Sequence, residues 1–360
     1  MPADDAPSPH APDTDAPDDD DDGAGAGPGL DVVVLGSAIV DVLATAADDD
    51  LDRLGLVKGS MALVDLERAA GVYEAMGPAT EMSGGSGANT AVGVAALGGR
   101  AGYIGKVADD DMGTVFLHDI RAAGVVLGRS APVAADPGAE LATGRCLVFV
   151  TPDGERTMAT HLGAASTLGP ADVDEDLVAR AQVVYLEGYL WDLGPAKAAL
   201  RRAMEVAHGA DALVALSLSD PFCVQRHRPE FLELLRDHVD VLFANEEEAV
   251  MLFGTDGFEA AADAAAETGV LAALTRGDAG SVVVTPAGLM AVAAEPVVQV
   301  VDTTGAGDLF AAGFLHGLTT GREPADAARL GGICAAEVIS HMGARPQADL
   351  RQLAAAAGLG

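Results

Sequence analysis

The chain has 360 residues, of which 49% are hydrophobic, and its 55 acidic and 21 basic residues give a formal net charge of −34. A chain of this length can bury one large core, and α/β proteins of this size often form a single domain. The acidic balance argues against a nucleic-acid or anionic-membrane partner, because phosphate surfaces bind clustered Lys and Arg. No apolar run approaches the roughly 20 residues that span a bilayer, so we expect a soluble protein with no membrane partner.

The first residues and the cysteines predict an intracellular protein. The N-terminal residues contain no basic segment followed by an apolar stretch, so we expect no secretory signal and a cytoplasmic location. The three cysteines, Cys146, Cys223 and Cys334, are widely spaced and odd in number. This arrangement predicts buried thiols rather than disulfide bonds or a zinc site.

Residues 1–29 differ from the rest of the chain in composition. Ala, Asp, Pro and Gly dominate, and the first 30 residues contain nine acidic residues and no Lys or Arg. A segment with so little apolar surface cannot form a core, so we predict a disordered acidic tail. We predict one domain over residues 30–350 and a short C-terminal tail over residues 351–360.

Short apolar runs alternate with helical stretches from residue 32 onward. The first run, residues 32–35, ends at Gly36 and is typical of a buried strand. Strands that alternate with helices predict right-handed crossovers and a mostly parallel sheet with helices on both faces, a three-layer α/β/α fold. The later runs occupy residues 183–186, 213–216, 241–244 and 271–274.

Two stretches interrupt this alternation. Residues 42–66 and about 125–160 contain turn residues and partly alternating β patterns, which predict a small accessory sheet. That sheet is either a lid over the carboxyl ends of the parallel strands, where ligands bind in open α/β sheets, or a plain β-excursion. The pattern alone leaves both interpretations open.

A glycine-rich turn at residues 302–308, Asp-Thr-Thr-Gly-Ala-Gly-Asp, precedes an apolar helical stretch. Gly305 and Gly307 permit a tight turn whose free N–H groups point toward an anion at the helix N-terminus. Asp308 lies in the first predicted turn, where its carboxylate can accept a proton from an attacking hydroxyl. The alternative is that Asp308 only complements the helix dipole and the glycines only turn the chain.

Residues 302–308 resemble the C-terminal signature of the ribokinase-like (PfkB) carbohydrate kinases. Residues 84–89, Gly-Gly-Ser-Gly-Ala-Asn, resemble the N-terminal signature of the same family, and the resemblance extends over about residues 31–346. It implies a ribokinase-like three-layer α/β/α domain with a mostly parallel central sheet and a small β-sheet lid. It also implies an ATP-dependent kinase that uses ATP and Mg²⁺, and it leaves open a monovalent cation such as K⁺.

The resemblance assigns a role to each residue that matches a family motif. The expected catalytic residues are Asp308 as the base, Gly305, Ala306 and Gly307 as the anion hole, and Arg156. The expected substrate-binding residues are Asp41, which follows the first strand, Gly85 in the hinge of the lid, Asn89 and Tyr189. The expected nucleotide-binding residues are Asn245, Glu248, Thr275, Gly277, Gly280 and Thr304.

Asn245 and Glu248 form an Asn-x-x-Glu pair that resembles the family's element for organising magnesium and phosphate. Mg²⁺ prefers oxygen ligands and retains waters, so we expect Glu248 to act as a metal residue through water. The local interpretation is a capping box with Asn245 as the N-cap, and the two interpretations are compatible.

The substrate interpretation depends on Arg156 and on two aromatic residues. Arg156 follows the lid turn and resembles the arginine with which adenosine kinases stabilise phosphoryl charge; the alternative is a surface arginine at a hairpin. Tyr189 and Trp191 follow a strand on the substrate side, where they either stack on a purine or pack in the core. These features resemble the bacterial adenosine kinase-like branch, so we expect adenosine as the substrate and AMP as the product.

Ser37 leaves other substrates open, because adenosine kinases usually have Asn at this position. The alternatives are a free sugar (ribose, fructose or 2-keto-3-deoxygluconate), inosine or guanosine, and, from a different class, a non-catalytic nucleoside-binding regulator. Both a monomer and a homodimer are compatible with the sequence. A P-loop and a dinucleotide-binding fingerprint are absent from it, since Gly105-Lys106 lacks the following Ser or Thr and Gly36-Ser37-Ala38 lacks the second glycine.

Overall fold

The computed structural model describes residues 29–129, 132–134 and 141–360. The predicted acidic tail, residues 1–29, lies outside these ranges except for Gly29. Within the described ranges, no helix is long and apolar enough to cross a bilayer.

The strands form two separate sheets. In chain order the strands are β1 (Leu30–Leu35), β2 (Ile39–Thr45), β3 (Met61–Leu63), β4 (Thr80–Gly84), β5 (Ala101–Ile104), β6 (Val126–Leu127), β7 (Thr143–Val150), β8 (Arg156–Gly163), β9 (Ala181–Glu187), β10 (Leu213–Ser217), β11 (Val241–Asn245), β12 (Leu271–Thr275), β13 (Ser281–Thr285) and β14 (Gly288–Val292). Each apolar run predicted as a strand lies within one of them, which confirms the predicted alternation.

Twelve α-helices lie between or after these strands in the described part of the chain. In chain order they are α1 (Asp48–Leu54), α2 (Leu66–Ala75), α3 (Ser86–Ala96), α4 (Asp111–Ala122), α5 (Glu175–Val178), α6 (Gly194–Gly209), α7 (Pro221–Asp237), α8 (Glu246–Phe253), α9 (Phe258–Thr268), α10 (Ala306–Thr319), α11 (Pro324–Val338) and α12 (Leu350–Ala356).

The larger sheet has the strand order β14-β13-β12-β11-β10-β9-β1-β5-β6. The neighbours from β12 to β6 pair in parallel, and β13 and β14 add an antiparallel edge. Apolar side chains on one face pack against α6 to α9. Those on the other face pack against α3, α4, α10 and α11. This confirms the ribokinase-like α/β fold predicted from the sequence, with its mostly parallel central sheet.

The smaller sheet has the order β3-β8-β7-β2-β4. One face packs against α1 and α2, and the other carries Leu43 and Val148 together with the partly buried Met82 and Met342. The sheet begins at residue 39 rather than 42 and ends at 163 rather than 160. It also includes β4, which lies outside the two predicted stretches. The sequence Thr-Glu-Met-Ser-Gly of β4 does not alternate apolar and polar residues, so it does not predict a strand. These residues form a strand because they pair with β2.

The segment predicted as a C-terminal tail, residues 351–360, is not an extended tail in the structure. Asp349 caps α12 by accepting hydrogen bonds from the N–H groups of Arg351 and Gln352. Leu350, Ala354 and Leu359 are buried against α10 and α11. The end of the chain therefore belongs to the packed domain.

Candidate active site

The N-terminus of α10 forms an open, positively polarised turn. Gly305 is the N-cap with φ +80°, and a Cβ built there would lie 2.7 Å from Cβ of Ala344. A Cβ at Gly307 would meet no atom within 4 Å, so the space above this turn is open. The first N–H groups of a helix lack helical acceptors and lie at the positive end of its dipole. The turn can therefore receive an anion.

The carboxylate of Asp302 stabilises this turn through hydrogen bonds. Its Oδ1 accepts hydrogen bonds from the Thr304 amide at 2.9 Å and the Thr304 hydroxyl at 2.6 Å. Its Oδ2 accepts one from the Gly343 amide at 2.8 Å, and the carboxylate is fully buried. The side chain of Thr304, which the sequence assigns to the nucleotide, thus supports the turn.

The carboxylate of Asp308 is oriented by two side chains from α3. Ser86 Oγ donates to Oδ1 at 2.7 Å, and Asn89 Nδ2 donates to Oδ2 at 2.8 Å. Burial raises the pKa of Asp308, and the hydrogen bonds from Ser86 and Asn89 oppose that rise. The contact brings together two predicted site residues that are far apart in the sequence, and it adds Ser86, for which the sequence predicts no role.

Asn89 keeps a free acceptor beside Asp308. Its side chain is 3% exposed, and its Oδ1 is buried without a hydrogen-bond partner. Buried polar atoms are seldom left unpaired in proteins. A ligand hydroxyl is the kind of donor that satisfies this oxygen.

Asp41 reaches the site from β2 of the smaller sheet. It is 5% exposed, and a Cβ at Gly84 on the paired strand would lie 2.1 Å from its Cγ. Only glycine at position 84 leaves room for this carboxylate. Burial raises the pKa of Asp41 to about 7, with Arg345 and Arg156 opposing the rise.

Glu187 joins the turn after β1 to the glycine-rich segment at residues 84–89, a role that the sequence does not predict. Its Oε2 accepts from the Ser37 amide at 3.1 Å and from the Gly87 amide at 2.9 Å, and the side chain is 1% exposed. Burial raises its pKa to about 7, although both amides stabilise the carboxylate. The sequence feature that could have indicated Glu187 is its position at the carboxyl end of β9, because ligands bind at that end of parallel strands.

Arg345 is, after Ser86 and Glu187, the third residue of the site for which the sequence predicts no role. Its guanidinium donates to the Ser83 carbonyl at 2.8 and 3.1 Å and to the Ala88 carbonyl at 2.9 Å. Burial lowers its pKa to about 10, and the nearby carboxylates of Asp41 and Asp308 counteract that effect. Its charge compensates the acidic side chains of the site, while its donors secure the chain on either side of the diglycine.

Gly85 links β4 to α3 at the middle of these contacts. It is the N-cap of α3 with φ +90°, and a Cβ there would lie 2.2 Å from the Ser37 carbonyl oxygen. Both the positive φ and the close approach require glycine. The role of Gly85 in the hinge of the lid stays a prediction.

Apart from Thr304, the predicted nucleotide-binding residues lie near the carboxyl ends of β11 and β12. Asn245 and Glu248 form the predicted capping box, in which Glu248 accepts from the Asn245 amide and side chain, each at 2.9 Å. Burial raises the pKa of Glu248 to about 7. Thr275 pairs with Asn245 across the two strands, so the turn at 275–280 lies beside the box. Gly277 and Gly280 both have positive φ, at +57° and +86°.

Arg156 and Tyr189 interact electrostatically with the same carboxylates. Arg156 begins β8, and its charge lowers the pKa values of Asp41, Glu248 and Asp308. Arg156 is therefore close enough to influence these carboxylates, and its catalytic role stays a prediction. Burial raises the pKa of Tyr189 well above its usual range, with Arg156 opposing the rise.

Trp191 does not reach the site. Its ring is fully buried in the core, and its Nε1 donates to Glu230 at 3.0 Å. Of the two aromatic residues considered for stacking on a purine, the core interpretation is correct for Trp191, and Tyr189 remains the candidate.

Comparisons with known proteins point to phosphoryl transfer. A sequence profile described as pfkB family carbohydrate kinase matches residues 59–350. An adenosine kinase structure from Sinorhizobium meliloti is 49% identical with a TM-score of 0.88, covering 91% of this chain and 99% of that chain. A probable sugar kinase from Rhizobium etli CFN 42 is 47% identical with a TM-score of 0.89, covering 92% and 99% respectively. Adenosine kinase of Saccharomyces cerevisiae is 30% identical over 87% of this chain and 95% of its own length.

Relatives that act on sugars are similar as well. A 5-dehydro-2-deoxygluconokinase of Geobacillus kaustophilus is 28% identical, and fructokinase-1 of Oryza sativa subsp. japonica is 33% identical. Each alignment covers 72% of this chain and 80% of the relative.

Proposed function

Because the chain belongs to the pfkB family of carbohydrate kinases and is an ATP-dependent kinase, we propose that it phosphorylates the primary 5′-hydroxyl of a nucleoside, adenosine first, to give AMP. The observation that carries this proposal is the 49% identity with the Sinorhizobium meliloti adenosine kinase over 91% of this chain. Membership of a kinase family sets aside the alternative of a non-catalytic regulator.

The proposed reaction uses Asp308 as the general base. Asp308 takes the proton of the 5′-hydroxyl while the hydroxyl oxygen bonds to the γ-phosphorus and the bond from that phosphorus to the β–γ bridging oxygen breaks. ADP leaves with the electron pair of the broken bond. The hydrogen bonds from Ser86 and Asn89 support this role, because they orient both oxygens of the carboxylate.

The moving charge is stabilised by two groups in this proposal. The N–H groups at Gly305, Ala306 and Gly307 receive the transferred phosphoryl group, for which the open space above Gly307 leaves room. Arg156 donates to the phosphoryl oxygens from the opposite side of the cleft. Its influence on Asp41, Glu248 and Asp308 supports this placement.

The substrate hydroxyls are bound by Asp41 and Asn89 in this proposal. Both side chains are buried beside Asp308, and Asn89 Oδ1 has no protein partner. A carboxylate accepts from two vicinal hydroxyls, and the amide oxygen accepts from a third donor. Tyr189 supplies an aromatic surface for the base.

The nucleotide and Mg²⁺ fit the polar groups at β11 and β12. Asn245, Thr275, Gly277 and Gly280 would contact ATP, and Thr304 contributes through the turn that it supports. Both oxygens of Glu248 already accept hydrogen bonds from Asn245, which suits a metal contact through water. Mg²⁺ supplies charge neutralisation on the phosphates when it is bound. Use of K⁺ stays a prediction, as do the cytoplasmic location and the oligomeric state.

The charges of the site favour a neutral acceptor over a sugar acid. A substrate such as 5-dehydro-2-deoxygluconate brings a carboxylate, which requires a donor or cation when it is buried. The donors of Arg345 already bind the Ser83 and Ala88 carbonyls, and Arg156 is assigned to phosphate. The ionised carboxylates of Asp41 and Glu187 also lie in the site, and they would repel the carboxylate of a sugar acid.

A neutral free sugar is the second candidate, and Ser37 is the observation that favours it. Its amide donates to Glu187 at 3.1 Å, and the residue is 4% exposed. It therefore offers little to a nucleoside at the position where adenosine kinases usually have Asn. Fructose and ribose present the same kind of hydroxyls to Asp41 and Asn89.

Initial rates of ADP release with ATP and Mg²⁺ test the proposal across adenosine, inosine, guanosine, ribose, fructose and 5-dehydro-2-deoxygluconate. We expect the largest kcat/KM for adenosine and a very low value for the sugar acid. A preference for ribose or fructose would keep the catalytic assignment and reject the nucleoside. A preference for the sugar acid would contradict the charge argument.

A further inference from the structure

Three side chains of the types that ligate metals cluster between α7 and the 3-10 segment that carries Tyr189. Asp192, Cys223 and His227 place one carboxylate oxygen, one thiol and one imidazole nitrogen within 4.8 Å of one another. Cys223 and His227 are four residues apart on α7, so they lie on the same face of the helix. Asp192 comes from a different element, the 3-10 segment Gly188–Asp192. Within the described part of the chain, no other group of His, Cys, Asp and Glu has such an arrangement.

Contrary to the expectation from cysteine spacing, we propose that Asp192, Cys223 and His227 form a site for a Zn²⁺-class transition-metal ion, separate from the Mg²⁺ of the kinase reaction. Thiolate, imidazole and carboxylate are the ligands that Zn²⁺ takes, with bonds of about 2.0–2.3 Å. His227 Nε2 lies 2.7 Å from Asp192 Oδ1, so these two atoms must part by less than about 1 Å to admit the ion. Mg²⁺ prefers oxygen ligands and does not compete strongly for a thiolate.

The surroundings of His227 and Asp192 resemble the outer shell of a metal site. His227 Nδ1 lies 3.4 Å from Glu230 Oε1, and a carboxylate behind the second ring nitrogen is usual for a metal-bound histidine. Lys197 Nζ and Trp191 Nε1 fix Glu230 at 2.8 and 3.0 Å. Arg226 Nε donates to Asp192 Oδ1 at 2.9 Å, as donors commonly do to ligating carboxylates.

An ion-pair network without a metal is the competing interpretation. Lys197 and Arg226 balance the charges of Asp192 and Glu230, and His227 Nδ1 also lies 3.4 Å from Lys197 Nζ. That network does not include the Cys223 thiol, which donates to the Gly188 carbonyl at 3.4 Å. The thiol beside His227 and Asp192 is what distinguishes this cluster from an ion-pair network.

The position of the site connects it to the rest of the protein. An ion held by Asp192 and α7 ties this helix to the segment that contains Tyr189. Binding releases the thiol proton of Cys223 to solvent. Because the ion binds the folded state, it also raises thermal stability as its concentration increases.

Titration of the metal-free full chain with Co²⁺ in excess Mg²⁺ tests the proposal. We expect one Co²⁺ per chain with a thiolate-to-metal charge-transfer band, displacement by Zn²⁺, and a change in the fluorescence of Trp191, the only tryptophan in the chain. Cys223→Ser should abolish the band, and Cys334→Ser, which alters another buried thiol, should retain it. Absence of stoichiometric binding, or a band that persists in Cys223→Ser, would overturn the proposal.

Two further variants keep the test decisive if Cys223→Ser does not fold. His227→Asn removes the imidazole ligand at a side chain that is 15% exposed and should eliminate tight binding. Glu230→Gln alters only the outer shell and should weaken Co²⁺ affinity about 10–100-fold while the band remains. Unchanged affinity in both variants would reject the site.

Discussion

Asn89 donates a hydrogen bond of 2.8 Å from Nδ2 to Oδ2 of Asp308, and this contact joins the N-terminus of α3 to that of α10. The two residues are 219 positions apart in the chain. The same amide leaves Oδ1 free on the side where a substrate hydroxyl would lie. One side chain can therefore orient the proposed base and bind the acceptor at the same time.

Replacement of Asp308 by Asn should remove turnover while the substrate still binds. The amide keeps the shape of the side chain but cannot take a proton, so we expect kcat to fall about 10²–10⁴-fold. Steady-state kinetics and calorimetric binding of adenosine measure the two effects separately. Asp326→Asn is the matched control, because Asp326 is an exposed acid in the first turn of α11. Equal losses in both variants would contradict the assignment of the base.

Replacement of Asn89 by Ala should shift the pH dependence of the reaction. The hydrogen bond from Asn89 lowers the pKa of Asp308, so its loss raises that pKa. The base is then ionised only at higher pH, so the acid limb of the kcat/KM profile should shift to higher pH. We also expect kcat/KM at its maximum to fall about 10–100-fold, the range for a hydrogen bond to a charged group. An unmoved acid limb would mean that Asn89 acts only on substrate.

Replacement of Glu187 by Gln should change how stability depends on pH. Burial raises the pKa of Glu187 from 4.5 to about 7, so the folded state binds a proton that the unfolded state has lost. The free energy of unfolding contributed by this group therefore decreases as pH rises from about 4.5 to 7, by up to about 3 kcal/mol. Gln carries no such charge, so the stability of the variant relative to the parent should increase over this window.

Urea unfolding at a series of pH values measures the effect of Glu187→Gln. Glu267→Gln serves as the control, since Glu267 is exposed and should leave the pH dependence unchanged. If the stability of Glu187→Gln depends on pH in the same way as that of the parent, ionisation of Glu187 does not destabilise the folded state, which would contradict the prediction.

Replacement of Gly84 by Ala should displace Asp41 and weaken substrate binding. The new methyl group would occupy the space of the Asp41 carboxylate, 2.1 Å from its Cγ. Loss of the hydrogen bonds from the substrate to Asp41 should raise KM about 10–100-fold. Gly71→Ala is the control, because a Cβ at this helical position meets no atom within 4 Å and should stabilise α2 by about 1 kcal/mol. An unchanged KM in Gly84→Ala would contradict a role of Asp41 in substrate binding.

The fold was predictable because its strands and helices have local patterns. The five apolar runs mark β1 and β9 to β12, and the glycine turn marks the start of α10. The prediction failed for β4, whose five residues form a strand only through pairing with β2. It also failed for residues 351–360, where Asp349 caps a helix and the buried leucines are too few to give a clear pattern.

The site was predictable where a motif carries the chemistry and not where distant contacts do. Asp308, Asn89 and Asp41 follow from family motifs, and the structure brings them together. Glu187 contacts Ser37 across 150 positions, and Arg345 contacts Ser83 across 262. No local pattern in the sequence indicates such pairs, because the contacts exist only once the chain has folded.

Transfer of labelled phosphate from [γ-³²P]ATP to adenosine, with identification of the labelled hydroxyl, tests the central claim most directly. The account predicts 5′-AMP as the labelled product of the parent protein and of Asp326→Asn, and none from Asp308→Asn. Label recovered only as inorganic phosphate, on a different hydroxyl, or at an equal rate with Asp308→Asn would contradict it.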